Sequence, residues 1–140
     1  MKIIKHTFKI PQLMVVDGEL IEADPKEETY TFTLLHGGIG RFEEATGMSL
    51  FAKMTEGETD EERGRKLFSD REFIINLTAS AYVKIKDGKF QNDRSTMEEF
   101  KKMEIIDYVT DIDFLTKFFA MVGECMMSSN KKGTKKGKNA

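Results

Sequence analysis

The chain has 140 residues, a length typical of one domain with room for a hydrophobic core. Its formal net charge is −2, and the last ten residues hold five lysines and no acid, so removing those five charges leaves −7 for residues 1–130. An acidic body excludes duplex nucleic acid as a main partner, because such binding depends on neutralising phosphates. No stretch approaches the roughly 18 uncharged apolar residues of a membrane span, and the start lacks the apolar run of a signal peptide. One cysteine excludes an internal disulfide, and we expect a cytosolic protein.

The first 36 residues have the alternation of apolar and polar side chains that indicates half-buried strands. Residues 3–10 and 29–35 alternate with period two, and each is predicted to be a strand with one apolar face. Between them, residues 13–21 contain the turn signal Asp17-Gly18, which indicates a further small hairpin. The acidic segment around Pro25 is predicted to be a solvated loop, because proline has no N–H to donate to a strand ladder.

Helical periodicity predominates over residues 37–128. A first helix is predicted to begin at Gly38 and to end at Gly47 in the left-handed conformation, followed by a short helical segment from Met48 to Met54. Three later helix starts carry capping signals, and the helix that opens at the first of them is predicted to continue to the Asp87-Gly88 turn. The three capping signals are Ser69 to Glu72, Ser95 to Glu98, and Thr110 to Asp113, the last opening a helix that runs to about Met127.

These elements predict an α+β fold in which a small N-terminal antiparallel sheet packs on a mainly helical body. Residues 1–128 are predicted to form one globular domain, and residues 129–140 a disordered lysine-rich tail that has nothing apolar to bury. The predicted core residues are Phe8, Phe32, Leu34, Phe42, Phe73, Leu77, Ala81 and Phe118.

The segment His36-Gly37-Gly38 is the first place to look for catalysis, because glycines before a helix can form an oxyanion or phosphate loop. The chain has no G-x-S-x-G elbow, no Gly-Lys-Ser/Thr and no complete dinucleotide fingerprint, so neither chemistry is supported. His36 continues the even-numbered face of its predicted strand, which indicates a structural histidine. The glycines are interpreted as a tight strand-to-helix turn.

Metal and thiol chemistry also lack a pattern. His6, His36 and Cys125 are too few and too far apart in the chain for a structural zinc set. The oxygen-rich segment 87–93 lacks the spacing of a calcium-binding loop. Cys125 lies among apolar residues and is interpreted as a small buried side chain. We therefore predict no catalytic, cofactor or metal site.

The last helix carries more apolar residues than one buried stripe requires. Two interpretations are open: the helix is buried nearly all round, or one of its faces meets a partner. The second is the basis for a predicted groove that binds apolar helices, with the lysines of the tail as further contacts. The predicted protein-binding residues are Leu115, Phe119, Val122, Met126, Lys131, Lys132, Lys135 and Lys136.

The run TYTFTLLHGGIGRFEEATGMSLFAKM, residues 29–54, resembles tail assembly chaperones of long-tailed phages that infect Gram-positive bacteria. The resemblance implies a protein without enzymatic activity that binds the tape measure protein, keeps it soluble in the host cytoplasm and is displaced as tail-tube protein polymerises. It also implies absence from the mature virion and a longer frameshifted product. Slippery codons for that frameshift would lie at residues 134–136 or 136–138. Independently of the resemblance, exposed apolar helix faces would favour self-association.

A second class of function also fits the composition. A small cytosolic adaptor or inhibitor that binds a host protein through an acidic face would need the same size and charge. Binding through an acidic face is expected to weaken as salt rises, whereas binding through apolar side chains is expected to change little.

Overall fold

The structure is a computed structural model that describes the backbone of residues 2–139 and the side chains of residues 2–127. The predicted disordered tail, residues 129–140, falls outside the described side chains. Along the described chain the elements are β1 (Ile4–Val16), β2 (Glu19–Phe32), α1 (His36–Thr46), α2 (Leu50–Met54), α3 (Asp60–Ser69), α4 (Arg71–Ala81), β3 (Tyr82–Lys86), β4 (Lys89–Gln91), α5 (Arg94–Lys101), a short 3-10 helix (Glu104–Asp107) and α6 (Ile112–Asn139).

The α+β fold class is confirmed. A four-stranded antiparallel sheet in the order β1-β2-β3-β4 packs on the helices. The sheet is not confined to the first 36 residues, because β3 joins the inner end of β2 through the pairs Thr31–Val83 and Phe32–Tyr82. The prediction of an entirely helical region over residues 37–128 is therefore wrong at β3 and β4.

An aromatic cluster forms the centre of the core, where the sheet meets α5 and α6. The ring centroid of Phe32 lies 5.9 Å from Phe100, 5.1 Å from Phe114 and 6.0 Å from Phe118. These tilted and edge-on contacts are the preferred arrangements of buried rings. All eight predicted core residues are buried, namely Phe8, Phe32, Leu34, Phe42, Phe73, Leu77, Ala81 and Phe118.

Aspartates, not serines, cap the later helices. Asp70, Asp93 and Asp111 each accept a hydrogen bond from the backbone N–H three residues further on, at 3.2, 2.9 and 3.3 Å. The predicted caps at Ser69, Ser95 and Thr110 are wrong, because in each case the carboxylate near it takes that role. Ser69 is the last residue of α3. Gly47 ends α1 with a φ of 70°, as predicted.

The helix predicted to reach the Asp87-Gly88 turn ends at Ala81 instead. Residues 82–86 leave the helix to pair with β2, and β3 then turns back into β4. Asp87 and Gly88 have φ values of 53° and 75°, which the tight turn between two strands requires. The turn signal was placed correctly, but it joins two strands and does not terminate a helix.

The strands β1 and β2 form one long hairpin that runs past Pro25. The predicted solvated loop at Pro25 is wrong, because β2 accommodates the proline in a bulge. Ile10 pairs with Lys26, whereas Gln12 pairs with Ala23, so two steps on β1 match three on β2. The bulge leaves Asp24 and Pro25 without a partner in the register, and the ladder resumes at Ala23.

Candidate functional site

The side chains of α6 that sequence analysis assigned to a client groove lie mostly inside the molecule. Leu115 and Val122 are buried, Phe119 is 9% exposed, and Met126 is partly buried against the core. The predicted groove is therefore not an open surface in this structure. The four tail lysines, Lys131, Lys132, Lys135 and Lys136, lie outside the described side chains.

The apolar excess of α6 has a packing explanation. Phe118 faces the sheet, 6.0 Å from Phe32, while Phe119 stacks on the other side against Phe68 and Phe73 at 5.4 and 6.1 Å. Two stripes are apolar because α6 lies between the sheet and helices α3 and α4. The structure lies between the two interpretations left open by the sequence: two stripes of α6 are buried, but the helix is not buried nearly all round, because Thr116, Lys117 and Ala120 are exposed.

The two histidines occupy different surroundings. His36 is the first residue of α1 and is exposed, so its predicted place on the face of a strand is wrong. His6 is buried on β1, and its ring lies 4.6 Å from that of Phe8 and 5.2 Å from that of Phe114.

A cavity of about 510 Å³ opens beside His6, between β1 and the start of α6. The Nδ1 of His6 lies 3.4 Å from Nζ of Lys117, and its Nε2 lies 3.8 Å from Oδ2 of Asp111. A lysine can donate to Nδ1 only if that nitrogen is deprotonated, so the contact favours the neutral ring. Thr7, Tyr108 and Thr110 also line the cavity and contribute its hydroxyl groups. The arrangement positions α6 on the sheet.

This environment predicts a pH dependence of stability. Burial chiefly, and then the charge of Lys117, lower the pKa of His6 below its ordinary 6.5, while Asp111 and Asp113 oppose that shift. The unfolded chain therefore binds the proton more tightly than the folded protein, so stability should fall as pH drops through 6.5 toward the lower folded pKa. Urea unfolding near pH 7.5 and pH 5.5 will measure the loss. In His6→Phe, which has no titrating ring, the loss should be smaller; an equal loss in both proteins would refute the assignment.

Two further properties concern metals and membranes. Among the described residues, no group of three or more His, Cys, Asp or Glu side chains is placed to hold a metal ion. Within the same part of the chain, no helix has the length and apolar character needed to cross a bilayer.

Six of the twelve exposed large apolar side chains among the described residues lie on the outer part of the β1–β2 hairpin, residues 12–23, which we call the hairpin arm. Its six large apolar side chains are 40–69% exposed: Leu13 65%, Met14 49%, Val15 69%, Val16 40%, Leu20 68% and Ile21 42%. The hairpin turn was predicted from the sequence, but this exposed surface was not. The available signal was the loss of alternation, because successive apolar residues place apolar side chains on both faces of a strand.

The two faces of the arm follow from its register. Val15 pairs with Leu20, so these side chains share the outer face with Leu13. Met14 pairs with Ile21, and these two share the inner face with Val16. The inner face continues the core side of β1. Between the base of the hairpin and the bulge at Pro25, the even-numbered residues of β2 lie opposite the core-side residues of β1; beyond the bulge, on the arm, the odd-numbered ones do, so Ile21 lies on the inner face.

The arm is also acidic. Residues 12–23 contain Asp17, Glu19 and Glu22 and no lysine or arginine. Among the described residues, none of these three carboxylates forms an ion pair. At the base of the hairpin, by contrast, Glu28 pairs with Lys26 at 2.7 Å and accepts a hydrogen bond from Tyr30. The arm is therefore a two-sided apolar surface edged with unpaired negative charge.

No family model, curated protein or solved structure matches this chain. The fold and this surface define the class to which the molecule belongs: an α+β domain that carries a projecting apolar hairpin.

Proposed function

We propose that the protein is a tail assembly chaperone of a long-tailed phage. In this role it binds the tape measure protein in the host cytoplasm, keeps it soluble and hands it to polymerising tail-tube protein, without an enzymatic step. The observation that carries the proposal is the hairpin arm, with six large apolar side chains exposed on its two faces. The resemblance of residues 29–54 to such chaperones supports the same role.

An exposed apolar patch of this kind is typical of an interaction site. The arm extends beyond the bulge at Pro25, where its side chains are free to contact another polypeptide without rearranging the core. Its acidic residues keep the apolar surface soluble while no client is bound.

The expected strength of binding suits a carrier. Each large aliphatic side chain contributes about 1.5–3 kcal/mol when it passes from full exposure to burial. Six side chains that are about half exposed give roughly 5–9 kcal/mol, which is of the same order as the 4–15 kcal/mol lost in association. Binding through the arm should therefore be reversible, as hand-over to tail-tube protein requires.

Co-expression with a tape-measure fragment tests the proposal. The fragment should be soluble with the wild-type protein and largely insoluble with an arm variant that binds it at least about tenfold more weakly, a loss of ~1.4 kcal/mol or more. The variant replaces all six exposed residues by threonine, which retains strand propensity. The substitutions are Leu13→Thr, Met14→Thr, Val15→Thr, Val16→Thr, Leu20→Thr and Ile21→Thr.

A second hairpin supplies the matched control. Ile85 and Phe90 form an exposed apolar pair between β3 and β4, so Ile85→Thr with Phe90→Thr removes apolar surface at another turn. This control should solubilise the fragment as the wild type does. Deletion of residues 131–140 tests the tail lysines separately.

Three results would count against the proposal or part of it. A wild-type protein that fails to solubilise the fragment would refute the chaperone role. An arm variant that remains folded and fully active would show that the client binds elsewhere. Capture of a host protein that weakens steeply between low and physiological salt would favour the acidic-face adaptor.

A further inference from the structure

We infer that the outer face of the hairpin arm binds a client helix whose apolar stripe is flanked by lysine or arginine. This inference rests on the proposed function and names the chemistry of the segment that the chaperone would recognise. It follows from the exposure, the dimensions and the charge of the arm.

Exposure distinguishes the two faces. On the outer face, Leu13, Val15 and Leu20 are 65–69% exposed, whereas Met14, Val16 and Ile21 on the inner face are 40–49% exposed. The outer side chains thus have more apolar area to bury against a partner. Because hydrophobic stabilisation scales with the area removed from water, the outer face is the stronger docking surface.

The dimensions of this face match one helix. Two strands about 4.8 Å apart form a ribbon roughly as wide as the 10 Å diameter of a helix. Leu13 and Val15 are two residues apart on β1, or about 7 Å along the strand. Helix positions i and i+4 are separated by about 6 Å, so two apolar residues at that spacing would meet both side chains.

The charge of the arm selects a basic partner. Glu22 pairs with Leu13 across the hairpin and therefore lies on the outer face beside the apolar side chains, while Asp17 lies at the turn. Lysine and arginine can cover apolar surface with their stems and reach such carboxylates with their charged ends. The same charge disfavours the arm of a second copy, which would bring three more carboxylates to the contact.

Labelled peptides of about 16 residues, roughly four helical turns, provide the test with the full-length protein. The first peptide has an apolar stripe flanked by lysines, the second has glutamates at those positions, and the third has the composition of the first in an order without a stripe. By fluorescence anisotropy at about 0.15 M salt, the lysine-flanked peptide should bind at least about tenfold more tightly than either of the others.

Variants of the arm assign the binding to one face. Leu13→Thr with Val15→Thr and Leu20→Thr should weaken binding of the lysine-flanked peptide about tenfold. The matched inner-face variant, Met14→Thr with Val16→Thr and Ile21→Thr, should stay within about threefold of the wild type. Glu22→Gln, on the outer face, should reduce the discrimination between the lysine and glutamate peptides, whereas Glu19→Gln, opposite Val16 on the inner face, should not. Circular dichroism and urea unfolding establish that each variant is folded.

The outcomes separate this inference from the proposed function. The inference would be overturned if the lysine and glutamate peptides bound with equal affinity, or if the peptide without a stripe bound as tightly as the lysine-flanked peptide. A larger loss of affinity in the inner-face variant than in the outer-face variant would also overturn it. If the wild type solubilises the tape-measure fragment through the arm while the peptides show no preference, the inference fails and the chaperone role stands. If the fragment stays insoluble and no peptide binds, both fail.

Discussion

Truncation of Phe118 to alanine is expected to lower the free energy of unfolding by about 3–5 kcal/mol. The side chain is fully buried on α6, at the junction of the sheet and the helices. Its ring centroid lies 6.0 Å from Phe32, 5.4 Å from Phe114 and 5.8 Å from Phe119. Removal of the ring leaves a cavity that three other rings line, and because those rings are anchored on β2 and α6, the space cannot readily close.

Phe51 provides the matched control for this truncation. It also lies in a helix, α2, but its side chain is 58% exposed. Phe51→Ala should change the free energy of unfolding by no more than about 0.5 kcal/mol, as is usual for surface substitutions. Urea unfolding followed by circular dichroism gives both values under one set of conditions. Similar losses for Phe118→Ala and Phe51→Ala would show that the packing described for α6 is wrong.

The core residues were predictable because a strand or helix that is buried on one side carries apolar residues at a regular spacing. Phe8 and Phe32 lie at alternate positions of half-buried strands, and Phe73 and Leu77 lie four residues apart on a helix. These spacings follow from strand and helix geometry alone, so sequence is sufficient to identify them. The elements that could not be predicted depend on which other segment of the chain each one packs against in the fold.

The strand β3 illustrates a choice made by tertiary contacts. Ile85 falls on the same helical stripe as Leu77 and Ala81, so local periodicity supports a continued helix. Pairing of Tyr82 with Phe32 decides against the helix, because it adds β3 to the sheet inside the aromatic cluster. The Asp87-Gly88 turn between two short alternating runs was the local signal for the hairpin.

The candidate site shows a similar limit. Apolar side chains on two sides of a segment indicate burial on both sides, or exposure to a partner, and sequence does not distinguish these cases. In α6 both stripes are covered, one by the sheet and one by helices, whereas the similar excess at Leu13 to Ile21 is left exposed. The proposed binding surface therefore lies on the hairpin arm, and not on the last helix where sequence analysis placed it.

The second large effect is expected from Gly38→Ala, which should lower the free energy of unfolding by about 1–3 kcal/mol. Gly38 is buried where α1 crosses α4, and a Cβ on it would lie 2.8 Å from the carbonyl oxygen of Ser80. That oxygen is part of the backbone, and it accepts a hydrogen bond of 3.0 Å from the side-chain amide of Asn92. An added methyl group must therefore separate the two helices or displace the chain that leads from α4 into β3.

Gly40 makes the comparison specific, because it lies on the same helix and a Cβ on it would meet no packed neighbour within 4 Å among the described residues. Alanine there should raise the free energy of unfolding by about 0.5–1 kcal/mol, since glycine is a poorer helix former. The two substitutions add the same methyl group to the same helix and should act with opposite signs in urea unfolding. A Gly38→Ala protein as stable as Gly40→Ala would mean that α1 does not approach Ser80 closely. Opposite signs would establish that Gly38 serves the packing of α1 on α4.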